Sequence, residues 1–187
     1  MKTKESARER LLAAASELFY AEGVQTVGID RVIEHAGVAK ASLYNTFGSK
    51  ENLVQAYLQS RHEATLDRLR GSIARHSDFR QRLLAVFDAQ GELFAEPSFR
   101  GCAFITASAE APDGGMIQHA ADEYRVEIRA LLTDLAREAG ASEPAALAQQ
   151  LQLLYDGGGL AAQMDRDPDA AAAVRAAAEV LLDAAAR

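Results

Sequence analysis

Three glycines divide the first fifty residues into short helical segments, and this spacing constrains the fold more than any other feature of the chain. They are Gly23, Gly37 and Gly48. Apolar residues three and four apart predict an amphipathic helix before each one, because glycine commonly ends a helix. The three predicted helices run from about Leu11 to Glu22, Ile29 to Ala36 and Lys40 to Thr46. A glycine corner between the second and third helices predicts a helix-turn-helix unit.

Helix formers dominate the rest of the sequence, so the chain is predicted to be all-α. Hydrophobic residues make up 49% of it, there are only four prolines, and β-branched runs are nearly absent. Ser49 suits the N-cap of a long fourth helix that reaches about Arg75. Further helices are predicted at about 78–95, within 99–112, at 117–139, and over Pro144–Gln163 and Asp169–Ala186. The total is nine, although residues 99–112 leave a strand open as an alternative.

The third predicted helix has the composition of a helix that enters a DNA groove. Leu43 and Phe47 form an apolar face for the core. Its other faces carry side chains that can reach bases or phosphates when such a helix lies in the major groove. These are Lys40, Ser42, Tyr44, Asn45 and Thr46, followed by Lys50 at the start of the next helix. The alternative interpretation is a small helical core with a solvated polar face.

The stretch IDRVIEHAGVAKASLYNTFGSKENL, residues 29–53, resembles the DNA-binding signature of TetR/AcrR-type transcriptional regulators. It contains AGV at the corner, a Lys-x-x-Leu-Tyr-x-x-Phe recognition helix, and Ser-Lys-Glu at the start of the fourth helix. The resemblance covers about residues 7–57 and implies an all-α, nine-helix fold. Residues 1–48 are then expected to form a helix-turn-helix DNA-binding domain, and residues 49–187 a ligand-binding and dimerisation domain.

The resemblance also implies roles for individual residues. Tyr44 and Lys50 are expected to hold phosphates, and Gly28 or Ile29 to offer a backbone N–H to phosphate. The residues expected to read bases or to position the helix are Lys40, Ser42, Asn45 and Thr46. Among these, Asn45 is the foremost candidate for base contact, since an amide can bind adenine through two hydrogen bonds.

Three positions depart from the family pattern. Ala39 stands where Ser or Thr often caps the recognition helix, and a missing cap costs about 1 kcal/mol. Ala41 replaces a common glycine, and Gly48 replaces a common proline. We expect these changes to alter which operator is read and to leave the motif intact.

A two-fold dimer is expected, because one recognition helix covers only a few base pairs of a double-stranded operator. The predicted interface is a four-helix bundle made from the last two helices of each homodimer subunit. Gly158 lies on the stripe formed by Leu147, Leu151 and Leu154. The glycines at 157–159 indicate either a close helix crossing or local kink, or else a helix end or break.

The middle helices are predicted to enclose a pocket for an unknown small-molecule effector. The candidate lining residues are Phe87, Gln90, Phe94, Phe104, Met116, His119, Tyr124 and Tyr155, with Gln118 and Met164 as further candidates. For any single residue of this set, ordinary core packing is the favoured interpretation. The resemblance implies a repressor that leaves a palindromic operator when a ligand shifts the fourth helix. An activator of the same family is the alternative.

Charge and cysteine content bound the remaining functions. Residues 1–60 are neutral and the remainder carries a net charge of −7, so the balance neither indicates nor excludes a nucleic-acid partner. The single Cys102 permits no intramolecular disulfide, and no apolar run approaches the length of a membrane span. A cytoplasmic protein is therefore expected, with no membrane partner. Cys102 is interpreted as a small buried hydrophobe, with redox or electrophile sensing as the alternative.

Two other function classes are alternatives to a DNA-binding regulator. An enzyme is disfavoured, because the sequence has no phosphate-binding glycine loop, nucleophile elbow or paired metal ligands, so no catalytic residue, metal or cofactor is expected. The histidines are scattered. A helical protein-interaction bundle that does not bind DNA remains the main alternative.

Overall fold

The computed structural model describes residues 5–112, 114–167 and 169–185, and every regular element within them is an α-helix. The nine helices in this part of the chain are α1 Ala7–Glu22, α2 Ile29–Ala36, α3 Lys40–Phe47, α4 Lys50–Ile73, α5 Phe79–Phe94, α6 Ala103–Glu110, α7 Met116–Glu138, α8 Pro144–Asp165 and α9 Ala170–Ala185. The all-α prediction is confirmed, and the segment that left a strand open forms α6. Ala186 and residues 1–4, 113, 168 and 187 of the predicted domains lie outside the described residues.

Helix starts follow capping chemistry that is visible in the sequence. Ser6 and Glu9 form a reciprocal capping box at α1, in which the Glu9 amide donates to Ser6 Oγ and the Ser6 amide donates to Glu9 Oε2. These hydrogen bonds lower the pKa of Glu9. Asp78 accepts from the Gln81 amide at the start of α5, and Pro144 opens α8.

The chain divides into two compact units. The first comprises Met1–His62 and Ala103–Asp122, and the second comprises Glu63–Cys102 and Glu123–Arg187. Helix α4 contributes residues to both units, because the division falls between His62 and Glu63. The predicted functional boundary between residues 48 and 49 is a different division of the chain, and it stays a prediction.

The first unit is held by a core of large apolar side chains from its short helices. Leu11, Val32, Leu43 and Leu53 are fully buried. The rings of Phe19 and Tyr57 meet edge to face with centroids 5.6 Å apart. The predicted apolar faces of α1, α2 and α3 therefore converge on one core.

The second unit packs α5, α8 and α9 together through small residues. A Cβ added at Gly158 would lie 2.6 Å from Val174 Cγ2, and one at Gly91 would lie 2.9 Å from Ala171 Cβ. Glycine therefore permits the close approach of α8 to α9 at Gly158 and of α5 to α9 at Gly91. Helix α8 continues unbroken to Asp165, so the helix-break alternative is wrong, and Gly158 marks a close crossing.

Candidate nucleic-acid interface

The corner between α2 and α3 is a tight turn made possible by Gly37. This residue adopts a left-handed conformation with φ 60° and ψ 43°, which glycine reaches at little cost. Its amide donates to Glu34 O at 3.1 Å, and the Val38 amide donates to Ile33 O at 3.3 Å. These bonds satisfy the last carbonyls of α2 and set the direction in which α3 begins.

Arg10 of α1 braces this corner. Its Nη2 donates to Ala36 O and, at 2.7 Å, to Gly37 O. A charged donor on two turn carbonyls fixes the turn against the first helix. Sequence reasoning missed Arg10, because its acceptors lie 26 and 27 residues further along the chain and no spacing rule connects them.

Helix α3 turns its two apolar residues inward and its polar residues outward. Leu43 is fully buried and Phe47 nearly so, and both belong to the core of the first unit. Lys40, Asn45 and Thr46 are exposed, and Ser42 is half-buried. Tyr44 keeps 44% of its surface exposed although it is a large aromatic residue. Lys40, Ser42, Tyr44, Asn45 and Thr46 thus lie on the side of α3 away from the core. We call these five residues the α3 surface.

The starts of α2 and α3 both lack a side-chain cap. Gly28 precedes α2 in extended backbone, with open space where a Cβ would stand, and Ile29 is half-buried. Ala39 precedes α3 and makes no capping hydrogen bond, as predicted from its side chain. Both helix starts therefore present backbone N–H groups without an internal side-chain acceptor, which suits binding of an anion.

The start of α4 contrasts with them. The Asn52 amide donates to Ser49 Oγ at 3.2 Å, and Asn52 Nδ2 donates to Phe47 O at 2.7 Å. Hydrogen bonds from its own backbone and from the Ser49 hydroxyl lower the pKa of Glu51. Lys50 is half-buried, and its Nζ donates to Gln25 O at 3.5 Å, the long limit of a hydrogen bond.

Several basic side chains of the first unit are paired with carboxylates of the same unit. Lys40 Nζ lies 2.8 Å from Asp30 Oδ1. Arg31 Nη2 donates to Glu22 Oε1 at 2.8 Å, and His35 Nε2 lies 2.7 Å from Glu17 Oε2. The hydrogen bond and charge of Asp30 raise the pKa of Lys40. This internal neutralisation was not predicted from the sequence.

The predicted effector residues fall into both units. Phe104, Met116 and His119 belong to the first unit, where only Phe104 is buried. Phe87, Gln90, Phe94, Tyr124 and Tyr155 belong to the second, and all but Phe94 are buried. Of the further candidates, Gln118 is half-buried and Met164 is strongly exposed. A pocket shared by the whole set stays a prediction.

Polar groups lie deep inside the second unit. The hydroxyls of Tyr124 and Tyr155 are 3.4 Å apart, and burial raises the pKa of Tyr124 well above its ordinary value and that of Tyr155 to about 12. Gln90 Nε2 donates to Tyr155 O at 2.6 Å. Gln90 Oε1 is buried and has no hydrogen-bond partner among the described residues. Such an acceptor is costly unless something else donates to it.

The last two helices expose large apolar side chains. Leu153, Leu160 and Met164 on α8 recur seven and four apart, and their exposed fractions are 66%, 46% and 72%. Val180 on α9 is also exposed. We call these four residues the α8–α9 surface.

Two absences concern the described parts of the chain only. No helix there is both long and apolar enough to cross a membrane. Residues 5–112, 114–167 and 169–185 contain no group of three or more His, Cys, Asp or Glu side chains placed to hold a metal ion.

Comparison with known proteins shows which family has this sequence pattern. Residues 11–57 match the pattern of the family described as bacterial regulatory proteins, tetR family. The HTH-type transcriptional repressor NemR of Escherichia coli K12 is 30% identical over 175 residues, covering 88% of this chain and 87% of that relative. The HTH-type transcriptional activator FasR of Mycolicibacterium smegmatis is 37% identical over 86 residues, which span only 39% of its length and 46% of this chain.

Solved structures agree over the whole chain. A TetR-family transcriptional regulator of Streptomyces coelicolor superposes with a TM-score of 0.93 at 30% identity, covering all of this chain and 93% of that one. The reduced form of Escherichia coli NemR gives a TM-score of 0.83 at 28% identity, covering 95% and 98% of the two chains. These relatives are transcriptional regulators and not enzymes. The chain described here belongs to the TetR family of DNA-binding transcriptional regulators.

Proposed function

We propose that this regulator is a homodimeric repressor that binds a palindromic operator through α3. It releases the operator when a small-molecule effector binds to the domain formed by residues 49–187. The observation that carries the proposal is the α3 surface, because a short helix is anchored by Leu43 and Phe47 while its polar residues remain exposed. Such a helix is shaped to lie in a major groove.

The residues of the α3 surface and those at the starts of α2 and α4 have distinct roles in the proposal. Tyr44 and Lys50 hold phosphates, and the uncapped amides after Gly28, including that of Ile29, hold another. Lys40, Ser42, Asn45 and Thr46 read base edges or position the helix. Asn45 is exposed and is assigned the most specific contact, to adenine.

Dimerisation is supported by the α8–α9 surface. Large apolar side chains exposed at three places along α8, and at a fourth on α9, cost free energy when solvated and favour a partner. A two-fold axis places the same surface on both subunits, so one stripe meets its copy in a four-helix bundle. Two recognition helices are then presented to two half-sites.

The effector is assigned to residues 49–187, with residues 1–48 as the DNA-binding domain. Phe87 and the Tyr124–Tyr155 pair offer an apolar wall with buried hydroxyls, and Gln90 Oε1 offers an acceptor that lacks a donor. An effector with an apolar body and a hydrogen-bond donor fits this lining. Phe94 completes the proposed set of the second unit, and Phe104, Met116 and His119 of the first unit stay separate candidates.

Two features support coupling between effector and DNA. Helix α4 runs unbroken from Lys50 at the DNA-binding domain into the second unit. Within the first unit, Glu110 at the end of α6 accepts the Gln25 amide at 3.0 Å, in the loop that precedes α2. An effector that changes the population of α4 or α6 positions would change the placement of the recognition helices, provided it prefers one state over the other.

We favour repression over activation because the match to a repressor covers more of this chain than the match to an activator. The match to the repressor NemR covers 88% of this chain, whereas the match to the activator FasR covers 46%. The activator remains the second candidate, because FasR has the higher identity over the part that it matches. Transcription from an operator-bearing promoter, measured with and without the purified dimer, separates the two.

The proposal is tested by selecting duplexes from a random-sequence pool with the wild-type protein and measuring binding to the selected duplex. Tyr44→Phe and Lys50→Gln should each weaken binding several-fold while circular dichroism stays unchanged. Arg70→Gln is the matched control, since Arg70 is an exposed cation of α4 in the second unit. A folded dimer that enriches no duplex would refute the proposal and favour a protein-binding bundle.

Release is tested with the same duplex. A library of small molecules is screened by thermal shift, and each hit is added to the protein–DNA complex. We expect stabilising hits to dissociate the complex, and Gln90→Met to weaken hits that carry a hydrogen-bond donor. Tight binders that leave operator affinity unchanged would exclude effector-driven release.

A further inference from the structure

An ion pair spans the corner of the helix-turn-helix. Asp30 lies in the first turn of α2 and Lys40 is the first residue of α3, and their charged atoms are 2.8 Å apart. Both side chains are strongly exposed, at 81% and 60% of their surface. A lysine that is expected to meet DNA is therefore held by a carboxylate of its own chain.

This pair differs from the setting of the other candidate phosphate ligand. Lys50 Nζ donates to the carbonyl oxygen of Gln25 at 3.5 Å, and this neutral acceptor does not balance its charge in that contact. Lys40 is neutralised by Asp30, which also brings a negative charge to the edge of the surface that would face phosphates. The two lysines thus differ in what DNA phosphates must displace: a carboxylate at Lys40 and a backbone carbonyl at Lys50.

We propose that Asp30 is a specificity-determining residue. Its ion pair with Lys40 persists on non-operator DNA, so that Lys40 does not bind phosphates there, and the pair breaks only when the protein binds an operator. The inference rests on the proposed DNA-binding function of α3. Exposed ion pairs are weak, so a well-placed DNA acceptor can replace Asp30. On non-operator DNA, Lys40 finds no such acceptor and stays paired.

The effect on discrimination follows from the nature of non-specific binding. Non-specific affinity comes from the number of phosphates that basic residues neutralise, and it falls with salt in proportion to that number. A lysine paired with Asp30 contributes little to this term. Discrimination depends on the ratio of specific to non-specific affinity, so withholding Lys40 from non-specific DNA raises the ratio.

The first test measures binding of Asp30→Asn to a random-sequence duplex and to the selected operator, over roughly 50 to 200 mM salt. Non-specific affinity should rise about threefold per subunit, on the scale of an exposed ion pair. The slope of log affinity against log salt should steepen by about 0.9 per subunit. Operator affinity should change less, so the specificity ratio falls. Asp30→Glu should retain wild-type behaviour.

Glu34→Gln is the matched control. Glu34 is an exposed carboxylate one turn further along α2, and it forms no ion pair with any residue that the structure describes. Its removal reports the general gain from deleting one negative charge near DNA. If Asp30→Asn and Glu34→Gln give the same affinities and salt slopes, the inference is overturned and the proposed function stands.

A second variant tests the inference without altering Asp30. Lys40→Gln should weaken operator binding more than non-specific binding, because Lys40 is occupied off the operator and its removal there leaves only the unpaired charge of Asp30. In the Asp30→Asn background, the same change should lower non-specific affinity by about the threefold that was gained. Equal loss on both duplexes in the wild-type background contradicts the inference. Failure of the wild-type dimer to bind any duplex overturns the proposed function, and this inference with it.

Discussion

The α3 surface and the α8–α9 surface are both exposed faces of helices, and they differ in what they expose. On α3, the outward residues are Lys40, Tyr44, Asn45 and Thr46, which carry donors and acceptors. On α8 and α9, the large exposed apolar residues are Leu153, Leu160, Met164 and Val180, which carry none. Each helix also buries anchors in the core of its own unit, Leu43 on α3 and Leu151 on α8.

The difference teaches how one type of scaffold serves two kinds of partner. Polar groups on α3 are satisfied by water until DNA replaces it, so the surface tolerates the unbound state. Apolar groups on α8 gain nothing from water, so their exposure favours permanent cover by a like surface. We therefore expect a stable dimer with a reversibly bound DNA.

The largest expected effect comes from placing a charge on the apolar surface. Leu160→Glu puts two like charges near the proposed two-fold axis, so the dimer should dissociate. Operator affinity should then fall by roughly 100-fold or more, because one subunit contacts one half-site and keeps little beyond non-specific binding. Sedimentation and DNA binding on the same samples measure both quantities.

Val126→Glu is the control for this change. Val126 is an exposed apolar residue of α7, outside the α8–α9 surface. We expect it to leave the dimer and its operator affinity unchanged. A Leu160→Glu protein that stays dimeric would show that the α8–α9 surface is not the interface.

A change on the polar surface should affect DNA and nothing else. Asn45→Ala should weaken operator binding by about 1–3 kcal/mol, the value of a good bidentate base contact, and relax preference at one base pair of each half-site. The dimer and the melting temperature should stay as in wild type, since Asn45 is exposed. Uniform weakening on every duplex would instead assign Asn45 to phosphate.

Much of the scaffold under both surfaces was predictable from local chemistry. Glycine corners, the Ser49 cap and three-and-four spacing predicted the bounds of α2, α3 and α4 within one or two residues, whereas α1 begins at Ala7, four residues before the predicted Leu11. The same spacing identified Leu43 and Phe47 as the buried side of α3, and hence its outward side. Periodicity is informative wherever one face of a helix is buried.

What the sequence missed depends on contacts between distant parts of the chain. The brace from Arg10 and the Lys40–Asp30 pair join different helices, and only the folded geometry brings them together. The membership of α6 in the first unit is likewise invisible to periodicity. The grouping of effector candidates by composition placed Phe104 and Phe87 together, whereas the structure puts them in different units.

A smaller effect separates packing within a subunit from packing between subunits. Gly158→Ala would place a Cβ 2.6 Å from Val174 Cγ2. Overpacking costs about 1–3 kcal/mol and exceeds the gain of about 1 kcal/mol from replacing a helical glycine, so we expect net destabilisation near 1 kcal/mol. Urea unfolding measures it, and Val174→Ala in the same chain should restore stability.

Gly71→Ala is the control for that prediction. Gly71 lies in α4 and a Cβ there meets nothing within 4 Å, so alanine should stabilise the protein by about 1 kcal/mol. Equal effects of the two substitutions would show that the α8–α9 crossing does not require glycine, and that α8 is free to move toward a partner subunit.

The smallest expected effect concerns the helix starts beneath the α3 surface. Ala39→Ser supplies the missing cap of α3 and should stabilise the fold by about 0.5–1 kcal/mol, whereas Ser49→Ala removes the cap of α4 and should cost about 1 kcal/mol. If the amides at the start of α3 bind phosphate, the new hydroxyl competes with DNA for them. Ala39→Ser should then weaken operator binding slightly while raising the unfolding midpoint. A rise in both would mean that those amides do not meet DNA, and that α3 binds through its side chains alone.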